Sequence, residues 1–556
     1  MRPVAQPNRK TTNDDQIHLI HSDKLYFDQR INSKAQFLVG NVCLEHQGTL
    51  MYCDSALYYK DNKSFDAFGN VRMVQGDTLS LTGDMLYYNG VDQLARVRHN
   101  VVMKHRKTTL YTDSLDYDRV YDLGYFFEGG RLLDDDNELT SYWGQYSPTT
   151  REAEFNMNVK LVNPAPPKTA KSTLLSDTLF YNTRTGVAHV VGPSNIDHGN
   201  THIYTENGYY HSNEDYSYLL NRSILTNVAK KLIGDSIHHD AVTHVSQAFG
   251  HIDYEDRENR NKFYGHYALY NDSTGYSMAT DSAVCIDYSQ QDTGYVHADT
   301  FKIFTYNIDT DSVYRVLHAY HHVRAYRVDL QGVCDSLVYD GKDSCATMYK
   351  DPIIWQNEQQ ILGEYIKAWT NDSTLDSVYV VNQALLAERI DSAHYNQVAS
   401  KEMHSYFRNG EVYLNEAAQN VYLNYHPYDS DSLMIGMVHA ESTMLRMFME
   451  QKKVQRIWMP ATTGEMFPID QIPPTTRFLE NFAWFDYVRP QNKDDIFQWR
   501  PKSKGTELKT TVLHAAPQQK LSDVKKKRKG KSVPAEQNPE EPAAPTTRTE
   551  QEALAE

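Results

Sequence analysis

The chain has 556 residues, 40% of them hydrophobic, with 40 tyrosines, 5 cysteines and a formal net charge of −16. That charge is uneven, since Arg500–Glu556 holds 12 Lys/Arg against 8 Asp/Glu and the residues before it therefore carry −20, which speaks against a nucleic-acid backbone as partner. Five cysteines are too few and too odd in number for a disulfide framework, no run of 18 apolar residues marks a transmembrane helix, and Met1–Lys10 lacks the apolar core of a signal peptide; either an export signal is missing from this chain or the protein is cytosolic.

Residues 1–18 read as an N-terminal extension. From residue 19 one phrase recurs: Asp23, Leu25 and Phe27, then a strand ending in Gly40-Asn41-Val42. Between Thr49 and Asp118 it is written twice and begun a third time, as Asp54-Ala56-Tyr58, Asp84-Leu86-Tyr88 and Asp113-Leu115-Tyr117, at spacings of 30 and 29 residues. A fixed period of this size signals stacked supersecondary units, and the period-two alternation inside each unit makes the unit a β-hairpin. Gly69-Asn70-Val71 and His99-Asn100-Val101 repeat the Gly40 phrase; Asn and Gly tolerate positive φ, so it reads as a bulge that re-aims the strand. If Gly48 centres the first turn, Cys43 and Cys53 face each other across the hairpin.

The fourth unit is degenerate at Gln145, but its return strand alternates cleanly: Phe155, Met157, Val159 and Leu161 on one parity, Asn156, Asn158 and Lys160 on the other. The Pro-rich loop at 163–172 then divides a first lobe, 19–162, from a second, 173–394, where the phrase resumes with Leu179 and Tyr181 and runs to Glu364. Twelve starts at two strands each give roughly two dozen strands with no helical pattern between them, so the fold class is all-β, an elongated twisted jelly roll of antiparallel hairpin repeats. Residues 395–490 read as a C-terminal β region whose Phe478, Phe482, Trp484 and Phe485 form an irregular cap over the open end of the stack. From 491 to 556 the composition is that of a disordered Lys/Pro/Glu tail, with a basic run at Lys525–Lys531.

No constellation for catalysis can be drawn. There is no nucleophile elbow, phosphate loop or CxxC. The recurrent Asp is a turn or edge residue before it is a metal ligand, because it lacks the nonapeptide context of calcium rolls. The pairs His238-His239 and His321-His322 fall on predicted strands, whose neighbouring side chains point to opposite faces, so neither chelates from one side. The expected site is instead an inward apolar row: Leu86, Tyr88, Val101, Met103, Leu115, Tyr117, Phe155, Met157, Val159, Leu161, Leu179 and Tyr181. Catalytic residues, metal and cofactors are expected to be none.

The phrases SDKLYFD at Ser22–Asp28, GNV at Gly40, GDMLYYN at Gly83, YTDSLDYD at Tyr111 and LSDTLFYN at Leu175 resemble the OstA-like family, which includes the periplasmic lipopolysaccharide-transport protein LptA and the N-terminal domain of LptD. The resemblance covers roughly Leu19 to Leu385, and the stretch Ile435–Pro490 is similar to longer OstA-like proteins of Gram-negative bacteria. It implies a non-enzymatic, periplasmic jelly roll that passes lipopolysaccharide along an apolar groove towards the outer membrane. The partners it implies are lipopolysaccharide, LptD-like and LptC-like bridge components, and further copies stacked end to end; nucleic acid is not among them. Two other classes stay open from the residues alone: an extracellular scaffold or adhesion repeat with a filled core, and a carbohydrate-active β-helix, which needs two acids about 5 to 10 Å apart in a groove.

Overall fold

Alternation of apolar and polar residues over eleven or twelve positions builds strands such as Thr49–Tyr59, Ser64–Gln75, Leu79–Asn89 and Leu94–His105, each hydrogen-bonded antiparallel to the next. The computed structural model describes residues 16–134, 137–163, 172–211, 214, 216–240, 242–308, 310–371 and 374–503. All of these lie in one unit, Met1–Thr510; the second unit, Thr511–Glu556, falls outside the described residues, and with it the basic run. The Pro-rich segment falls outside them from 164 to 171.

Among the described residues thirty-six strands form one sheet. Twenty run uninterrupted and sixteen are halves of eight interrupted ones, so the chain makes 28 legs, each paired only with the leg before and the leg after. Every leg is broken near its middle by a shift of register. On alternate legs the break falls at the phrase read from the sequence: Gly40 and Asn41 take φ +82° and +49°, Gly69 and Asn70 +77° and +46°, His99 and Asn100 +60° and +52°, and the register shifts between Val39 and Val42, between Phe68 and Val71 and between Arg98 and Val101. Two left-handed residues in succession bend the strand and turn its second half across the first. The recurrent Asp sits beside this bend. Asn41 donates to Asp23 (3.1 Å), Asn70 to Asp54 (2.8 Å) and Asn100 to Asp84 (2.8 Å), so the acid fastens the bulge of the neighbouring leg.

The bends divide the legs into two half-sheets with a shared interior, the jelly roll expected from the repeats. Two details differ from the sequence reading. Met157 and Asn158 are themselves the left-handed pair of their leg, φ +63° and +56°, and Met157 points out with 61% of its surface exposed; strict alternation fails there because a bulge adds residues that belong to neither face. The first hairpin turns on Gln47-Gly48, which pairs Cys43 with Tyr52 and Val42 with Cys53. A one-residue change of register sends the two cysteines to opposite faces, and all five cysteines are free.

The legs continue through residue 394 without a break, and one buried cluster spans Ala283 to Met449. Beyond strand Thr463–Pro468 the chain doubles back. Leu479, Phe485 and Val488 are buried with Val333, Trp355 and Leu385, residues of the outer side of the first half-sheet. The aromatic segment is therefore a strap along an outer face and not a cap over the open end. Ordered packing also passes 490: Asp495 and Ile496 are buried, and Asp495 pairs with Arg324 at 3.5 Å and with Arg500.

Candidate functional site

The interior is lined by cross-strand rows. In the first half-sheet, Leu19 pairs with Leu44, Leu44 with Met51, Met51 with Met73, and the register continues residue to residue through all 28 legs to Ala440 and Gly464. No position in it is charged. In the second half-sheet a matching row runs unbroken from Phe126 through Gly144, Phe155 and Leu179 to Ala417 and Leu445, again without a charge. One apolar residue per leg in each half-sheet follows from the period of the phrase, because each unit places its Leu two residues after its Asp.

Exposure varies along these rows. Eleven of the twelve nominated residues, all but Met157, are 0–3% exposed and belong to one cluster from Ile17 to Val190. They are inward, but here the two rows pack on each other and leave no trough. From Ile196 onward the first row changes: Ile196, Ile203, Leu225, Leu232, Tyr254, Phe263, Cys285 and Val296, on eight consecutive legs, are all half-buried. The facing row stays covered at Leu219, Ile237, Ala248 and Phe301. At about 4.8 Å per strand, eight legs extend roughly 34 Å along the stack. The residues nominated from the sequence run from Leu86 to Tyr181, into the start of the second lobe, and do not reach this stretch.

Ile203, Leu225 and Leu232 still pack against the facing row, and Cys285 and Val296 against the cluster that follows. In the legs before Ile196 the two half-sheets also meet at a seam of leg ends. The Tyr that closes each D-x-L-x-Y phrase reaches across it. Tyr88 bonds His46 Nδ1 (2.6 Å), Tyr117 bonds Gln75 (3.4 Å) and Asp122, Tyr146 bonds His105 Nδ1 (2.9 Å), and Tyr181 bonds Asp134 and Asn137 (3.0 Å each). All but Tyr117–Asp122, which are five residues apart, span 41 to 47 residues and tie one half-sheet to the other. Burial pushes the Tyr88 and Tyr146 phenols up and the His105 imidazole down, so the Tyr146–His105 pair is neutral on both sides at pH 7. In the half-open stretch Tyr270 holds the equivalent place and bonds Asp272 in its own turn, at 3.1 Å.

The remaining candidates are placed plainly. His321 and His322 are a left-handed pair at a bulge, not strand neighbours, and they bond different acids, Asp335 (3.4 Å) and Asp299 (2.8 Å). His238 lies tilted against Tyr218, 4.0 Å between ring centres, while His239 bonds Ser246. Among the described residues no three or more His, Cys, Asp or Glu are grouped to hold a metal ion, and no helix is long and apolar enough to cross a membrane.

Residues 14–169 match the family described as OstA-like protein. This part of the chain is similar to that family. The match takes in the clasped lobe and ends before the half-open stretch begins. No curated protein matches the chain. Among solved structures it is similar to LptH of Pseudomonas aeruginosa, described as the LptA homologous periplasmic component of the conserved lipopolysaccharide transport device, at 12% identity over 33% of this chain and 86% of that one, with a TM-score of 0.12. The OstA-like segment is thus continued by legs of the same construction to residue 468.

Proposed function

We propose that this protein is a non-enzymatic carrier for the acyl chains of lipopolysaccharide, working in the periplasm beside LptD-like and LptC-like components, as the OstA-like resemblance implies. The observation that supports it is the pair of uncharged rows that persists through the legs irrespective of how tightly they are packed. A filled structural core needs apolar residues only where it is closed. Here the row from Ile196 to Val296 remains apolar on eight legs where it is only partly buried, and the surface left to water is what an acyl chain would cover, at about 0.8 kcal/mol per buried CH₂. The lipid-binding stretch is therefore assigned to Ile196–Val296, and the clasped lobe before it is read as the tightly closed part of the same path.

A photo-crosslinking residue tests this at Leu232 or Phe263, with Ile233 and Tyr264, their outward neighbours, as controls. Capture of lipopolysaccharide from the inward sites alone is the expected result. Equal capture from both faces, or none from the inward sites in folded protein, would reject the carrier and leave a scaffold repeat standing.

A further inference from the structure

Under the C-terminal strap lie five polar side chains of the outer face, Arg324, Gln331, Gln360, Gln397 and Asn424, each 0–3% exposed. All five bond the strap. Gln397 donates from Nε2 to the Arg477 carbonyl (2.9 Å) and accepts at Oε1 from the Leu479 N–H (2.8 Å). Gln360 repeats the arrangement on Ala483 and Phe485, at 2.8 Å each, and is itself held by Trp355 Nε1 at 3.2 Å. Asn424 donates to the Thr476 carbonyl and Arg324 to that of Val488, both 2.9 Å, while Gln331 accepts from Arg489 Nε at 2.8 Å.

An amide that gives one hydrogen bond to residue i and takes one from residue i+2 offers what an edge strand offers an added strand. The face therefore reads extended backbone, and asks for side chains only where Leu479, Phe485 and Val488 enter its apolar surface. The strap is joined to the legs through Ile469–Gln471, none of whose residues is buried, so its covalent attachment adds little to the recognition.

We propose that the outer face between Arg324 and Asn424 is a peptide-binding site, filled in cis by residues 476–495, which takes the same segment of a second copy of this chain once its own is withdrawn. Four of the five grips touch main chain, which is identical whichever copy supplies it. Asp495 suits the exchange as well: Arg324 is fully buried and needs a carboxylate from whichever strap lies over it.

To test this, the full-length protein is prepared with a specific protease site inserted between Asp470 and Gln471, folded, cut and diluted. The released C-terminal piece should stay with the body on gel filtration, and a fluorescent peptide of residues 471–503 should replace it. Gln360→Ala combined with Gln397→Ala should speed its departure at least tenfold. Immediate loss of the piece from a body with unchanged circular dichroism would overturn the site, and a retained piece that the peptide never replaces would overturn the exchange. Should cutting unfold the body, uncut Phe485→Asp protein, whose own strap is dislodged, decides the matter: uptake of the wild-type peptide supports the site, and no uptake overturns it.

Discussion

His46 Nδ1 and the Tyr88 hydroxyl meet at 2.6 Å across 42 residues, and Arg119 donates to the same hydroxyl at 2.7 Å while also holding Thr49 Oγ1 at 2.6 Å. The hydroxyl takes a hydrogen bond from the guanidinium and shares another with the imidazole, so three turns of the stack converge on one phenol. Tyr88→Phe keeps the ring in the core and removes only the oxygen. A loss of about 1–3 kcal/mol is expected in urea unfolding, since buried partners are left unmet. Tyr146→Phe, which severs a bond to His105, should cost about 1 kcal/mol. Equal, negligible costs at both positions would show that the seam is held by packing alone.

Acid should weaken the C-terminal legs. His426 is 1% exposed and burial pulls its pKa down from 6.5 to about 4. The unfolded chain therefore binds the proton first, stability is full above about pH 6.5, and it falls as pH drops from there towards 4, by an amount on the order of 3 kcal/mol. Burial lowers His105 as well, which adds a loss of the same sign. The difference between wild type and His426→Asn, followed by thermal melting from pH 7 to pH 4, isolates the effect; parallel curves would refute it.

The bulges can be tested at a glycine. Gly69 has φ +77°, and a Cβ there would stand 2.5 Å from Asp54 Oδ2, displacing the acid that fastens the bend; Gly76, φ +59°, would place its Cβ in open space. Both alanine variants carry left-handed strain of roughly 1–2 kcal/mol, and Gly69→Ala should lose more than Gly76→Ala by the cost of the displaced Asp54–Asn70 bond, about 1 kcal/mol. The same loss in both would mean that the acid is not part of the bend.

Phe155 and Met157 stand two residues apart and fare oppositely. Phe155→Ala empties a 1%-exposed position and should cost about 3–5 kcal/mol. Met157→Ala, at 61% exposure, should stay within about 0.5 kcal/mol. Chemical denaturation of the two variants separates them.

That pair also marks where the sequence is legible and where it is not. The period of Asp54, Asp84 and Asp113 is enough for the hairpins, the bends and the inward row, because each depends on contacts within a leg or between neighbours. Met157 is misplaced by the same logic: apolar alternation cannot signal that two residues have left the strand. The half-open stretch is hidden for another reason. Ile203 and Leu81 occupy the same row and look alike in sequence, and what separates them is how fully residues distant in the chain cover them, Leu81 being buried and Ile203 only partly so. The strap is hidden most deeply, since Gln360 and Gln397 read as ordinary outward polar residues until a segment more than 80 residues later arrives to cover them.

Because each leg's strand pairing is only with its two neighbours, assembly can keep pace with synthesis: a hairpin that has left the ribosome finds its partners in hairpins already made, such as the one 42 residues back that joins Tyr88 to His46. The exception is the face that closes on Val488, 164 residues after Arg324. That region holds Val333, Trp355 and Leu385 uncovered until nearly the whole chain has been made, so the interval between translating residue 324 and residue 488 is the time during which a nascent chain is most exposed to capture by a chaperone or by another copy of itself.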